Sequence, residues 1–241
     1  MKVLPGFFNL CRMRDITGLD LQSSPNTLVC KFERRNISLH IKREDLLHPE
    51  VSGNKFRKLK YNLLQAGEEK KDTLLTFGGA FSNHIAAVAA AGHILGFKTI
   101  GVIRGEELEK DIHITLLKNP TLRYAVSKGM KLKFISRTEY RQKSAPDFID
   151  SLRIQLGDFF LLPEGGTNAL AVKGCEEILT ESDIEFDHIC CPVGTGGTIA
   201  GLINSAQPSQ TVLGFPSLKG NFLAEEISEY TTAINWRLIT D

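Results

Sequence analysis

The sequence has no run of about 18 or more apolar residues, the length that a helix needs to cross a bilayer, so it predicts no transmembrane helix. It has almost no excess charge, since 29 Lys and Arg against 28 Asp and Glu leave a formal net charge of +1. That balance gives no electrostatic footprint for nucleic acid or an anionic membrane. C-x-x-C pairs and zinc-ligand spacings are also missing, which argues against a metal site.

The cysteines are few and odd in number, which argues against a disulfide scaffold. They are Cys11, Cys30, Cys175, Cys190 and Cys191. We predict reduced, buried thiols in a cytoplasmic protein. Cys190 and Cys191 are adjacent on a predicted strand, so their side chains are expected on opposite faces.

The N-terminal stretch does not have the pattern of a secretory signal. Its apolar run from Val3 to Leu10 is interrupted by Pro5 and Gly6, and no small-residue cleavage pattern follows. What the chain does have is an ordinary globular composition: 241 residues, 42% hydrophobic and 24% charged. The length predicts one or two domains.

Short apolar runs alternate with helical spacing along most of the chain. The predicted strands cover 28–32, 37–41, 73–77, 98–103, 131–135, 159–162, 188–193, 211–215 and 236–239. The predicted helices cover about 56–64, 83–95, 114–127, 148–156, 170–179, 199–205 and 222–230. This alternation predicts mostly parallel sheets with helices on both faces, and ligands at loops beyond the carboxyl ends of strands.

One such loop is rich in glycine: Gly194-Thr195-Gly196-Gly197-Thr198. A glycine turn between strand and helix lets backbone N–H groups converge on an anion, and the helix dipole adds to the attraction. The turn is not a Walker A loop, and Ile199 occupies the third glycine position of a dinucleotide fingerprint. A small phosphate monoester therefore fits better than NAD; the alternative is a tight turn that needs positive φ.

A lysine stands where a helix is predicted to begin. With Ser52 or Asn54 as the N-cap, Lys55 lies in the first turn, where the helix dipole disfavours a cation and lowers the pKa of an amine. An amine that loses its proton readily suits covalent chemistry with carbonyl compounds. The alternative is a solvated lysine, a description that we expect to hold for Lys58 and Lys60.

Three polar residues, Ser82-Asn83-His84, precede an alanine-rich helix. Ser82 or Asn83 can cap that helix, which is the structural alternative. One cap needs only one side chain, and the backbone N–H groups at this helix start suit a carboxylate. No G-x-S-x-G motif occurs, so Ser82 is not a nucleophile-elbow serine.

In order and spacing from about Thr27 onward, the three loops resemble those of pyridoxal-phosphate enzymes of the tryptophan-synthase-β fold. More narrowly, they resemble the 1-aminocyclopropane-1-carboxylate deaminase/D-cysteine desulfhydrase family. The resemblance implies an α/β fold of pyridoxal-phosphate fold type II, with two three-layer α/β/α domains and mostly parallel sheets. The smaller domain would span about 45–160, and the larger 1–44 plus 161–241.

The resemblance also implies a role for each matching residue. Lys55 would hold pyridoxal 5'-phosphate covalently and serve as the base at the substrate carbons. Asn83 would hydrogen-bond the ring oxygen of the cofactor, and Gly194, Thr195, Gly196, Gly197 and Thr198 would bind its phosphate. Ser82, Asn83 and His84 would receive the substrate carboxylate, with Ser82 as nucleophile or proton-transfer group. The segment Glu164-Gly165-Gly166-Thr167-Asn168 resembles another loop that lines the active site.

The implied activity is conversion of a small amino acid, 1-aminocyclopropane-1-carboxylate or D-cysteine, to an α-keto acid and ammonia by a homodimer. Family members continue beyond the position that matches Asp241, so we expect weakened cofactor binding or turnover in this chain. Two other interpretations stay open at this point. One is a catalytically impaired family member that binds only a phosphate ligand or a partner. The other is an unrelated α/β protein whose glycine turn holds a nucleotide.

Overall fold

The computed structural model describes residues 24–217 and 222–240. The predictions about Val3 to Leu10 and Cys11, and the first 23 residues of the predicted larger domain, lie outside these ranges. Within them, no helix combines the length and apolar character that a membrane crossing requires.

Nine strands and nine α-helices are formed by the described residues. The strands are β1 (Asn26–Phe32), β2 (Ile37–Lys42), β3 (Thr73–Gly79), β4 (Lys98–Arg104), β5 (Lys131–Ile135), β6 (Phe160–Leu162), β7 (His188–Val193), β8 (Thr211–Pro216) and β9 (Trp236–Leu238). The helices are α1 (Asn54–Glu68), α2 (Asn83–Leu95), α3 (Ile112–Lys118), α4 (Pro120–Ser127), α5 (Arg137–Tyr140), α6 (Pro146–Leu156), α7 (Ala169–Cys175), α8 (Gly197–Ser205) and α9 (Phe222–Ser228).

The strands form three sheets. One has four parallel strands in the order β5-β4-β3-β6, and a second has three parallel strands in the order β7-β8-β9. The third is an antiparallel pair of β1 and β2, joined by a short turn at Glu33–Arg35. The prediction of an α/β fold with mostly parallel sheets is confirmed.

The four-stranded sheet is covered by helices on both faces. Alternate residues of β3 point to opposite sides, so Leu74 packs with α1, α2 and α4. Leu75 and Phe77 pack instead with Ile149 and Leu152. Because both faces of the sheet are covered, β3 is buried from Thr73 to Gly78, with no alternation of buried and exposed residues.

A separate core surrounds the three-stranded sheet. It joins Val193 and Val212 of the strands to Ile199 and Ile203 of α8 and Leu223 of α9. The division of the chain into domains at 45–160 stays a prediction. In the structure the four-stranded sheet begins at Thr73 and ends at Leu162.

One predicted helix is broken in two, and another ends well before the apolar spacing indicated. The helix predicted over 114–127 is two helices, because Asn119 is extended, its side chain caps α4, and Pro120 is the first residue of α4. A residue before proline is disfavoured in helical conformation, which explains the break. The helix predicted over 170–179 stops at Cys175.

Helices α1, α7 and α8 approach one another closely through glycine. A Cβ atom at Gly174 of α7 would overlap the backbone carbonyl of Arg57 in α1. A Cβ at Gly201 of α8 would overlap Cys175 of α7. These contacts fix α1, which carries Lys55, relative to α8, which begins in the glycine turn.

The cysteines follow the strand geometry only in part. Cys191 is buried and Cys190 is exposed, which confirms that the two side chains lie on opposite faces of β7. Cys30, Cys175, Cys190 and Cys191 are all free thiols. The prediction that they are buried is wrong for Cys190, which lies on the outward face of its strand, and for Cys30, which is partly exposed.

Candidate active site

A cavity of about 180 Å³ lies between the loops that follow β3 and β7. It brings together eight of the nine residues that the sequence singled out: Lys55, Ser82, Asn83, His84, Gly194, Thr195, Gly196 and Thr198. Gly197 is not in its wall; it is buried as the first residue of α8. Residues some 140 positions apart therefore share one site only because the loops at the ends of the two sheets meet here.

Lys55 lies in the first turn of α1 and lines the cavity, as predicted. Its pKa is lowered, chiefly because burial penalises the charged amine, while the nearby Cys175 thiol acts in the opposite direction. The direction matches the sequence-based argument, but burial rather than the helix dipole is the main cause. No hydrogen-bond partner of the Lys55 amine is present among the described residues.

The predicted cap of α1 is wrong. Gly53 occupies the N-cap position, and neither Ser52 nor Asn54 caps the helix with its side chain. Asn54 instead donates from Nδ2 to Oγ1 of Thr198, 2.9 Å away. This hydrogen bond joins the helix start that carries Lys55 to the glycine turn.

The glycine turn has the shape of an anion cradle. Gly196 is the N-cap of α8 with φ of 73°, a left-handed conformation that glycine adopts without strain. The nine-residue helix that follows directs its first free N–H groups and its positive dipole end toward the cavity. Gly194 and Thr195 line the same wall.

Lys58 is not the solvated lysine that we expected. It is only 2% exposed, and its Nζ donates to the Gly165 carbonyl at 3.2 Å, to Thr167 Oγ1 at 2.9 Å and to Thr195 Oγ1 at 3.3 Å. Burial, and secondarily the neighbouring Lys55 charge, lowers its pKa to about 8. Lys60 is partly buried as well, and its amine pairs with Glu177.

We predict that Lys58 makes the protein more stable as the pH rises from about 8 to 9. The amine titrates near 8 when folded and at 10.5 when unfolded, so the unfolded chain binds more protons in this window. The free energy of unfolding then rises with pH, by roughly 1 kcal/mol across the unit. Urea unfolding at the two ends of the window measures the rise, and Lys58→Met is expected to lose it. An equal rise in Lys58→Met would contradict the assignment.

The three polar residues Ser82, Asn83 and His84, at the start of α2, have different surroundings. Ser82 caps the helix, because its Oγ accepts from the Ile85 N–H at 3.4 Å. Asn83 is exposed at the cavity. His84 is 1% exposed and its Nε2 lies 3.0 Å from Thr76 Oγ1. Burial, reinforced by the Lys55 and Lys58 charges, holds the His84 pKa well below its ordinary value. His84 is therefore a neutral ring near neutral pH.

The segment Glu164-Gly165-Gly166-Thr167-Asn168 packs against the glycine turn. Gly165 lines the cavity, and Thr167 Oγ1 lies 2.6 Å from Thr195 Oγ1. Asn168 caps α7 and exchanges hydrogen bonds with the buried Asn62 of α1. The segment thus joins α1, α7 and the glycine turn.

Sequence reasoning missed Lys58 and Asn54. A signal for Lys58 was present, because Lys55, Lys58 and Asn62 are spaced three and four residues apart and share one face of α1. When a helix buries its apolar residues and also carries a row of polar residues on another face, that polar face can be covered by a functional site and need not be exposed to solvent. Asn54 gave no such signal, since an asparagine at a helix start is an ordinary cap.

One cavity is lined by a lysine amine at one helix start and by an anion cradle at another. This combination defines a class of enzymes that hold a phosphate-bearing cofactor through a lysine. The particular family follows from comparison with known proteins. The chain belongs to the pyridoxal-phosphate dependent enzyme family, whose model matches residues 24–218. The family predicted from the motifs, and its cofactor, are confirmed.

Three curated relatives are similar over about two thirds of this chain. A bifunctional D-cysteine desulfhydrase/1-aminocyclopropane-1-carboxylate deaminase of Arabidopsis thaliana, described as mitochondrial, is 33% identical over 177 residues, which are 68% of this chain and 44% of the relative. A 1-aminocyclopropane-1-carboxylate deaminase of Bradyrhizobium is 30% identical, covering 69% and 52%. A D-cysteine desulfhydrase of Serratia proteamaculans is 26% identical, covering 68% and 51%. The chain thus spans about half the length of these relatives.

Solved structures show the same fold. An ACC deaminase homologue superposes with a TM-score of 0.69 at 24% identity, over 91% of this chain and 70% of the other. Threonine deaminase isoform 2 from Solanum lycopersicum superposes with a TM-score of 0.60 at 23% identity, over 90% and 61%. The predicted fold class is confirmed.

The residues of the site fit pyridoxal phosphate. The glycine turn offers backbone N–H groups for a phosphate, and glycine leaves three of its five positions without a side chain. Lys55 offers an amine whose lowered pKa favours the uncharged form that covalent bonding to an aldehyde needs. Both groups face one cavity.

Proposed function

We propose that the protein is a pyridoxal-phosphate-dependent deaminase or desulfhydrase. Its substrate would be a small amino acid, 1-aminocyclopropane-1-carboxylate or D-cysteine, and its products an α-keto acid and ammonia, with sulfide from D-cysteine. The observation that carries the proposal is the single cavity lined by Lys55, the glycine turn and Ser82 to His84. The activities after which the three relatives are named supply the substrate class.

Each residue of the cavity has a task in this proposal. When bound, pyridoxal phosphate supplies an electron sink for a carbanion. Lys55 would hold the cofactor and then, as a free amine, move protons at the substrate carbons. The turn from Gly194 to Thr198 would bind phosphate, and Asn83 the ring oxygen.

The helix start at Ser82 would receive the substrate. Its backbone N–H groups and the side chains of Ser82, Asn83 and His84 are donors for a carboxylate. Ser82 is partly exposed at the cavity, which leaves its hydroxyl available for proton transfer in spite of the cap. His84 is neutral and fixed by Thr76, so it would act as a hydrogen-bond partner rather than as a counter-charge.

We also propose a homodimer in the cytoplasm. The antiparallel pair β1–β2 exposes a set of large apolar side chains: Leu28, Val29, Phe32, Ile37, Leu39 and Ile41 are each 45–53% exposed. Ile37, Leu39 and Ile41 alternate along β2 and Phe32 pairs with Ile37, so these four share one face of the pair, and an exposed apolar face is typical of association sites. The exposed apolar side chains of the β1–β2 pair support association. The cytoplasmic location is inferred from the cysteine content alone.

The test is cofactor uptake followed by turnover. The chain is incubated with pyridoxal phosphate and freed of excess, and we expect the visible absorbance that the cofactor gains when bonded to a lysine. Release of α-keto acid is then measured from D-cysteine and from 1-aminocyclopropane-1-carboxylate. D-alanine is the matched control, because it has the same charge and configuration as D-cysteine but no leaving group. If the absorbance appears but no keto acid is released, the protein binds the cofactor without turning over these substrates, and the enzyme proposal is overturned.

A further inference from the structure

A second cavity, of about 480 Å³, opens beside the carboxyl ends of β3, β4 and β5. Its charged lining consists of Arg104, Arg137, Arg141, Lys143, Glu107 and Glu164. Four cations against two carboxylates leave an excess of two positive charges in a concave surface. The protein as a whole has a net charge of +1, so this excess is local.

The two carboxylates are already neutralised. Glu107 pairs with Arg137 at 2.8 Å. Glu164 pairs with Lys143 at 3.3 Å and accepts from the Tyr140 hydroxyl at 2.7 Å. Over the part of the chain that the structure describes, the guanidinium groups of Arg104 and Arg141 have neither a carboxylate nor a hydrogen-bond partner.

A buried aromatic ring holds part of this cluster in place. Tyr140 is 3% exposed. The Arg104 guanidinium carbon lies 5.5 Å, and the Lys143 amine 5.4 Å, from the centroid of its ring. Cations over an aromatic ring lose less freedom when a ligand binds, because their positions are already restricted.

We propose that this cavity binds a multiply charged oxyanion, a small di- or tricarboxylate or a phosphate. Guanidinium groups match carboxylate and phosphate oxygens with paired hydrogen bonds. Open parallel sheets bind ligands beyond the carboxyl ends of their strands, where this cavity lies. An anion would also relieve the repulsion among cations that the two carboxylates leave uncompensated.

The oxyanion site adjoins the candidate active site but is distinct from it. Phe81 and Glu164 line the oxyanion site, whereas the next residues in the chain, Ser82 and Gly165, line the active-site cavity. The two cavities therefore share two loops. A test must separate them, because the glycine turn is itself an anion cradle.

Citrate and inorganic phosphate are the probes, titrated by calorimetry into the full chain. Arg104→Gln/Arg141→Gln removes the two unpaired charges, and we expect the dissociation constant of both probes at this site to rise on the order of tenfold or more. Lys131→Gln is the matched control, since Lys131 is exposed at the opposite end of β5. Gly194→Asp places a carboxylate in the glycine turn, where the nearest atom to a Cβ is Ser217 Oγ at 4.0 Å; it would repel anions there and leave the oxyanion site intact.

The expected result is citrate binding that survives Lys131→Gln and Gly194→Asp and is weakened on the order of tenfold or more in the double arginine variant. Binding of citrate but not phosphate, or the reverse, identifies the source of the anion within the proposal. Loss in Gly194→Asp alone would place the anion in the glycine turn and overturn the proposal, as would the absence of binding in the parent chain. Both arginines are exposed, so the double variant is expected to melt at the same temperature as the parent protein. An unchanged melting temperature excludes unfolding as the cause of weaker citrate binding.

Discussion

Lys55→Ala is expected to abolish keto-acid release from D-cysteine and 1-aminocyclopropane-1-carboxylate, lowering the rate by roughly 10³-fold or more. The amine that would hold the cofactor and the base that would move protons are the same atom, so one substitution removes both. The visible absorbance of the loaded chain is expected to disappear with it. Keto-acid release and visible absorbance are measured on the parent protein and on Lys55→Ala after the same treatment with pyridoxal phosphate.

Lys98→Ala is the control for this experiment. Lys98 is an exposed lysine that pairs with Asp72 on the surface, so its removal leaves activity and absorbance nearly unchanged. Lys55→Ala is also expected to stay folded, because burial disfavours the charged amine that the substitution removes. If the folded Lys55→Ala chain retains keto-acid release, Lys55 is not the residue that carries the reaction.

Gly174→Ala is expected to destabilise the protein by roughly 3 kcal/mol. A Cβ at this position would overlap the backbone carbonyl of Arg57, and a backbone atom in a packed helix cannot rotate away as a side-chain end can. Alanine is the better helix former by up to about 1 kcal/mol, but that gain is smaller than the cost of separating two helices. The midpoint of urea unfolding measures the difference.

The matched control for Gly174→Ala is Gly194→Ala. The chemical change is the same, but the nearest atom to the new Cβ is Ser217 Oγ at 4.0 Å, so no overlap results. We expect an unfolding midpoint close to that of the parent. Separation of α1 from α7 also shifts the helix that carries Lys55 and Lys58, so Gly174→Ala is expected to weaken cofactor uptake. An unchanged midpoint in Gly174→Ala would show that the two helices are not held this closely.

Much of the fold could be predicted because its signals are local. The β3 segment is a short run rich in strand-forming residues that ends in two glycines, and Ser82 stands where an alanine-rich helix begins. The break at Asn119 and Pro120 was also readable from the sequence, but the apolar spacing on either side outweighed it in the prediction. That error came from the weight given to periodicity over the proline rule.

Local sequence is enough to predict the functional groups of the candidate site, because the amine at a helix start, the glycine turn and the polar cap each depend on neighbouring residues in the chain. The surroundings of Lys58 follow instead from the way the chain folds, since its amine bonds to Gly165, Thr167 and Thr195, more than a hundred positions away. The same holds for Gly174, where a side chain is excluded by the backbone carbonyl of a residue in another helix. Burial and close approach depend on which segments meet in space, and no local pattern contains that information.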